Sequence, residues 1–374
     1  MTEQKKHIVL ISNSFGSLYN FRYELILTLL KDYRVTLLTP MEESDYVHFA
    51  AFMEQGCELL KTPLRRRGKN PFSEWKLISL YVQLLKKLNP DLVLTYTIKP
   101  NIYGGMACKK LKIPYFSNVT GLGTAFQKEG MLKKLTVFLF RRGVKHAELI
   151  FFQNEESQKV FKRCRIGKGN SKIVPGSGIN LDKFPMKPYT EDNAFRFLYM
   201  ARIMKEKGAD EFFAAARRMK EKYKEVEFAV VGFCEETYET QIKELEKQGV
   251  ITYYGWQDDS ASFMAKAGCL VNPSYHEGMS NVCLEAAATG RPMIVSDIPG
   301  CRETVENGTN GYLIPAGDGE ALLAKMIQFY QLSTKQKAQM GQNGRRKMEQ
   351  EFDRQLVVEI YCKEIRRVLE NDKN

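Results

Sequence analysis

Short, continuous apolar runs separated by longer mixed stretches set the rhythm of this chain. Runs at 7–11, 35–38, 92–95, 115–118, 149–152 and 172–174 have the length of strands buried on both faces. The stretches between them, such as 21–30, carry the wider spacing of helices, so the first half predicts a doubly wound parallel sheet. Pro175-Gly176-Ser177-Gly178-Ile179-Asn180 and the 185–188 stretch read as a linker. A second series opens with a strand at 195–200. It continues with a helix near 209–223, a strand at 227–231, a helix near 237–248 and a strand at 251–254. The chain ends in a helix at about 354–371, expected to return to the first domain. With 374 residues the chain is long enough for two cores. The expected division is 1–186, 187–352 and a C-terminal helix at 353–374, with a cleft between the two domains. No internal repeat or low-complexity tract interrupts it.

One segment departs from this rhythm. Between strand-like runs at 269–273 and 293–296, residues 274–292 place two carboxylates, Glu277 and Glu285, around a helix start at Ser280 or Asn281. Gly290 and Pro292 end that helix. Glu277 falls in the loop, and Glu285 roughly 6 Å along the helix. At the carboxyl end of a parallel sheet both can reach the crevice where open α/β folds take ligands. The N–H groups of Met279 to Val282 point the same way and suit a phosphate. A ligand that is both polyol and phosphate would satisfy the whole segment. Arg202 and Lys207 leave the 195–200 strand just before a helix and can reach the same crevice as two cations for a diphosphate.

Charge sharpens the division of labour. The net charge is +12, yet residues 1–188 hold 31 Lys and Arg against 15 Asp and Glu, and the remainder 25 against 29. All the excess positive charge lies in the first half, which suits nucleic acid, an anionic membrane surface or a phosphorylated substrate. No helix-turn-helix, zinc or aromatic ribonucleoprotein signature accompanies it, which argues against nucleic acid. Eight cysteines without a Cys-x-x-Cys pair, and four histidines, argue against a disulfide scaffold or a structural zinc and fit a reducing cytoplasm. No run approaches the roughly 18 apolar residues of a membrane span. The run at 8–11 is too short for a signal-peptide core.

Arg202 with Lys207-Gly208, followed some seventy residues later by Glu277-x7-Glu285 and Gly290-Arg291-Pro292, resembles the retaining nucleotide-sugar glycosyltransferases of family 4. The resemblance runs over nearly the whole chain. It implies the GT-B fold, with two Rossmann-like domains, and a role for each matching residue. Arg202 and Lys207 would neutralise the donor diphosphate as it leaves. Glu277 would bond the donor sugar hydroxyls, and Glu285 the ribose. Backbone amides of Gly278, Met279, Ser280, Asn281 and Val282 would hold sugar and phosphate oxygens. Gly16, in the loop after the first strand, would let the backbone approach the phosphates. Trp256, in Tyr254-Gly255-Trp256, holds the position that walls the base pocket in this family, or is an ordinary packing aromatic.

The stretches 94–104 and 118–126, with Arg65-x-x-Gly68-x-Asn70-Pro71, look like the subgroup that builds capsule, O-antigen and other surface glycans on a lipid carrier. That likeness implies a polyprenyl-diphosphate saccharide as acceptor and UDP-linked hexose or N-acetylhexosamine as donor. Lys99, Thr120 and Arg65 are the acceptor-side candidates. Many family members carry a histidine after the strand that corresponds to 115–118. Here the neighbourhood holds Asn118, Thr120 and Gly121, which puts a protein general base in doubt. A retaining front-face reaction lets the leaving phosphate take the proton instead. No Asp-x-Asp pair occurs, so metal-independent chemistry with no cofactor is expected. Asp258-Asp259 reads as a helix start. Leu132, Leu135, Phe138, Leu139 and Val144 interleave with Lys133, Lys134, Arg141, Arg142 and Lys145, as in an interfacial helix. With the basic cluster at 65–69, that helix would hold a cytoplasmic enzyme at the membrane face. Epimerisation or hydrolysis of a nucleotide sugar on the same fold is the alternative.

Overall fold

Runs of Val, Ile, Leu and Phe with no polar face can only be buried between two layers, and both sheets of this protein are buried that way. The computed structural model describes residues 5–63, 71–123, 126, 130–189 and 195–371, with residues 71–75 and 371 as backbone. Arg65 and the 65–69 cluster lie outside the described residues. The chain divides into two units, Met1–Ser177 with Gln355–Asn374, and Gly178–Arg354.

The first unit runs β1 (His7–Ile11), α1 (Phe15–Asp32), β2 (Arg34–Thr39), α2 (Asp45–Met53), β3 (Glu58–Lys61), α3 (Pro71–Leu88) and β4 (Leu92–Tyr96). A π-turn at Pro100–Gly104 and α4 (Gly105–Leu111) follow, then β5 (Tyr115–Val119), α5 (Met131–Val144), β6 (Leu149–Phe152), α6 (Glu155–Arg163) and β7 (Ser171–Ile173). Its seven strands pair in parallel in the order β3-β2-β1-β4-β5-β6-β7. The strand order reverses between β1 and β4.

The second unit holds β8 (Arg196–Met200), α7 (Ala209–Lys222), β9 (Glu227–Val231), α8 (Glu239–Lys247), β10 (Thr252–Tyr253), α9 (Ser260–Lys266) and β11 (Cys269–Asn272). It continues with α10 (Asn281–Ala288), β12 (Met293–Ser296), β13 (Gly311–Ile314), α11 (Gly319–Tyr330) and α12 (Thr334–Lys347). Its order is β10-β9-β8-β11-β12-β13, with the reversal between β8 and β11. The last helix, α13 (Arg354–Asn371), belongs to the first unit in all but its first residue. Val357, Val358, Tyr361, Ile365, Val368 and Leu369 join the core that α1 and α2 form on one face of the first sheet.

Local chemistry explains where the elements differ from the sequence expectation. The first helix begins at Phe15 rather than near 21, because Ser14 adopts an extended conformation and accepts from Ser17 N. Gly16 therefore sits in the first turn of α1 and not in a loop, and a Cβ there would meet only the Ser14 hydroxyl, at 3.8 Å. The units part within the expected 175–180 linker, at Ser177 and Gly178, rather than at 186. Residues beyond that point pack into the second unit: Ile179 and Phe184 lie in its core, and Lys187 N donates to Thr289 O at 3.1 Å. Arg291 finishes the attachment. It is 4% exposed, and its guanidinium donates to the carbonyls of Lys187, Pro188, Met264 and Ala265. Asp259 caps α9, accepting from Ser262 N at 3.0 Å.

Candidate active site

Two loops of the second unit meet where its strand order reverses, one after β8 and one after β11. That is the position at which open parallel sheets bind ligands. The loop after β8 is shaped by Tyr199, fully buried, whose hydroxyl donates to Lys207 O at 3.1 Å and Arg202 O at 3.3 Å. One side chain thus ties both ends of the turn that carries the two cations. Burial raises the Tyr199 hydroxyl well above its ordinary pKa, so it stays a donor.

Two glycines allow the close approach that follows. Gly232, at φ +139°, would place a Cβ 1.9 Å from Ala201 O. Gly208, left-handed at φ +70°, would place one 2.2 Å from Pro273 O. No other residue fits either position without moving the backbone. With these contacts made, Tyr275 N donates to Glu206 O at 3.0 Å. Lys207 Nζ then meets Glu277 Oε1 at 2.6 Å, both side chains largely shielded from water. Arg202 remains exposed beside them.

The loop after β11 is held from beneath by Asn272, 3% exposed. Its Nδ2 donates to Ser280 Oγ at 2.8 Å and to Cys283 Sγ at 3.3 Å, while its Oδ1 accepts from Ser274 Oγ at 2.7 Å. Ser280 occupies the N-cap of α10, but its hydroxyl faces Asn272 and makes no capping bond. The Ser280 side chain thus braces the loop from below instead of capping α10. The Ser280 amide does not point into the crevice with the rest of the expected 279–282 run, because it donates to Gly300 O at 2.8 Å. Gly300, at φ +88°, would put a Cβ 2.6 Å from Gly278 O, so it too is there for close packing.

Glu285 lies in the second turn of α10. Packing around its carboxyl raises the pKa to about 7, although the residue as a whole keeps some exposure. The Ser260 hydroxyl, Lys183 and Arg354 pull it back only in part. Trp256 lies just beyond β10 and stacks on Phe233, which follows β9, with ring centres 4.6 Å apart and planes 10° apart. Both rings are more than half exposed. Lys99, Thr120 and Gly16 belong to the first unit. Sequence reasoning missed Tyr199, Asn272, Gly232, Gly300 and Phe233. Asn272 and Gly300 carried a signal, a polar residue ending an apolar strand and a Pro-Gly pair after the next one.

A switch-point loop with a shielded cation and carboxylate suits a ligand that carries negative charge beside hydroxyl groups. Comparison with known proteins gives the family. Residues 182–347 match the family model "Glycosyl transferases group 1", and residues 7–154 match "Glycosyl transferase 4-like". The chain belongs to these glycosyltransferases. It is 27% identical, over 96% of its own length and 98% of the other, to N,N'-diacetylbacillosaminyl-diphospho-undecaprenol alpha-1,3-N-acetylgalactosaminyltransferase of Campylobacter jejuni subsp. jejuni serotype O:2. It is 28% identical to UDP-Gal:alpha-D-GlcNAc-diphosphoundecaprenol alpha-1,3-galactosyltransferase of Escherichia coli, over 67% of this chain and 69% of that one. Anabaena Alr3699/HepE, solved in complex with UDP and glucose, shares the fold with a TM-score of 0.79. The identity there is 18%, over 96% of this chain and 99% of that one.

Glu285 makes a prediction that needs no ligand. A carboxyl whose folded pKa is raised from the ordinary 4.5 to about 7 stabilises the fold relative to its ionised form below pH 4.5, and that advantage is lost as pH rises through 7. Between pH 4.5 and 8 the native protein should lose about 2 kcal/mol relative to Glu285→Gln, its partial exposure allowed for. Urea denaturation of both proteins across that range measures the difference, and parallel pH profiles would show that the carboxyl is not raised.

Proposed function

We propose that the protein is a retaining, metal-independent glycosyltransferase that moves a hexose or N-acetylhexosamine from a UDP-sugar to a saccharide on polyprenyl diphosphate. The observation that carries this reading is the 2.6 Å contact of Lys207 with Glu277 just ahead of the N-terminus of α10. It sets a cation for phosphate and a carboxylate for sugar hydroxyls side by side. Relatives that act on undecaprenol-diphosphate-linked sugars supply the acceptor class. The absence of Asp-x-Asp supports a diphosphate neutralised by protein cations and amides.

In the reaction so read, the bond from the donor's anomeric carbon to the diphosphate breaks, and a bond from the acceptor oxygen forms on the same face. Arg202, Lys207 and the amides of α10 take up the charge that develops on the departing diphosphate. Glu277 accepts hydrogen bonds from the sugar and Glu285 from the ribose. The leaving phosphate oxygen receives the acceptor's proton, so no protein base is needed. Phe233 and Trp256 offer a flat exposed surface for the base.

The acceptor's lipid calls for a membrane surface, and α5 has the chemistry to meet one. Met131 is 87% exposed, Leu132, Leu135 and Phe138 are each at least half exposed, and Arg142 lies 4.7 Å from the Phe138 ring centre. Lys134 and Lys145 are exposed nearby. Val144, expected on the same face, instead lies buried in the core, and Leu139 packs against that core. Among the described residues no helix is long and apolar enough to cross a membrane. Contact with an anionic leaflet from the cytoplasmic side, through an apolar ridge edged by cations, fits these features.

Two experiments test the reading. A panel of UDP-, GDP- and ADP-sugars offered with polyprenyl-diphosphate saccharides should give transfer from a UDP-sugar with the anomeric configuration kept. Glu277→Gln should lower kcat about a hundredfold, with nucleotide affinity within threefold of wild type. An inverted product, or no transfer from any donor, would contradict it. In the second, the purified protein should sediment with vesicles containing phosphatidylglycerol and not with neutral ones, and Leu135→Glu with Phe138→Glu should abolish that binding. Unchanged binding by the double variant would remove α5 from the account.

A further inference from the structure

The first unit buries a charge that no carboxylate among the described residues meets. Arg22 on α1 is 4% exposed, its Nη1 donates to Phe21 O at 2.7 Å, and its Nε has no acceptor. Its guanidinium carbon lies 5.2 Å from the Tyr96 ring centre and 5.8 Å from that of Tyr361 on α13. Taking a guanidinium out of water without an anion is costly. Two ring faces offset part of that cost, and the result is a strut between α1, the end of β4 and α13.

Tyr361 passes the restraint on. Its hydroxyl donates to Asn118 Oδ1, and Asn118 Nδ2 donates to Thr95 O at 3.0 Å. Thr95 Oγ1 donates to Asn101 Oδ1 at 2.7 Å, and Asn101 Nδ2 donates back to Asn118 O at 2.8 Å. Asn101 N closes the ring by donating to Thr97 O at 3.0 Å. Enclosed by these bonds, Thr97 stands at φ +72°, a left-handed conformation that a β-branched residue avoids. A π-turn, itself rare, follows at Pro100–Gly104. Strain of this kind persists only where the surroundings over-determine it, and it gathers at ligand sites. Thr97 lies just past β4, where the strand order of the first sheet reverses, and two residues before Lys99.

We propose that Arg22 and Tyr361 are positioning residues for the glycosyl acceptor. Through Asn118 they hold the strained 97–99 backbone in the form that receives it. The inference rests on the reading above, in which the first unit takes the acceptor.

Tyr361→Phe keeps the ring beside Arg22 and removes only the hydroxyl. The acceptor KM should rise about five- to tenfold while the donor KM stays unchanged. Amide exchange should accelerate at 95–101 and keep its protection elsewhere in the unit. Arg22→Lys, which keeps the charge and loses the flat face between the rings, should give the same selective loss. An unchanged acceptor KM, or donor and acceptor KM rising together with a lowered Tm, overturns the proposal. Should the wild type transfer to no polyprenyl-diphosphate saccharide, the functional reading fails by itself. Exchange then decides the local claim: selective loss of protection at 95–101 in Tyr361→Phe upholds it, and unchanged or uniformly lost protection refutes it.

Discussion

A lysine and a glutamate brought to 2.6 Å at the reversal point of a parallel sheet set the terms for the rest of the second unit. Both are drawn away from water, so the pair persists only if the backbone around it is fixed. Tyr199 fixes the lysine's loop by taking both of its end carbonyls, and Asn272 fixes the glutamate's loop from below. Gly208, Gly232 and Gly300 remove the side chains that would keep these loops apart. The arrangement is preorganised for a ligand bearing negative charge beside hydroxyl groups, which is the form in which electrostatic stabilisation is most effective.

The two units solve the same problem with different materials. Each fixes the loops at its strand-order reversal. The second unit uses glycines and a partly shielded ion pair. The first uses a ring of amide and hydroxyl side chains, Thr95, Asn101, Asn118 and Tyr361, around a strained threonine. Neutral hydrogen bonds hold a backbone without fixing a charge. α13 contributes Tyr361 to that ring, so it helps to fix the loop after β4.

Most of the strand pattern was legible because parallel strands buried on both faces are continuous apolar runs, as at 7–11 and 149–152. β3 was not, since Glu58-Leu59-Leu60-Lys61 lies at the sheet edge and half of it faces water. The meeting of Lys207 with Glu277 was legible by spacing. Their partners were not, because a buried Tyr199 or Asn272 looks in sequence like any strand residue. Arg22 was hidden for a similar reason: an arginine on an amphipathic helix reads as solvated, and its two aromatic neighbours come from 74 and 339 positions further along the chain. The start of α1 was misplaced because Ser14, not the apolar pattern, decides it.

In the proposed reaction Arg202, Lys207 and Glu277 bind a nucleotide diphosphate sugar without a metal ion. Calorimetric titration of the protein with UDP-sugar in the presence of EDTA checks this. The affinity should be unchanged by the chelator and lowered about tenfold or more in each of Arg202→Met and Lys207→Met. Binding that vanishes with EDTA and returns with Mn²⁺, or that ignores both substitutions, would contradict it.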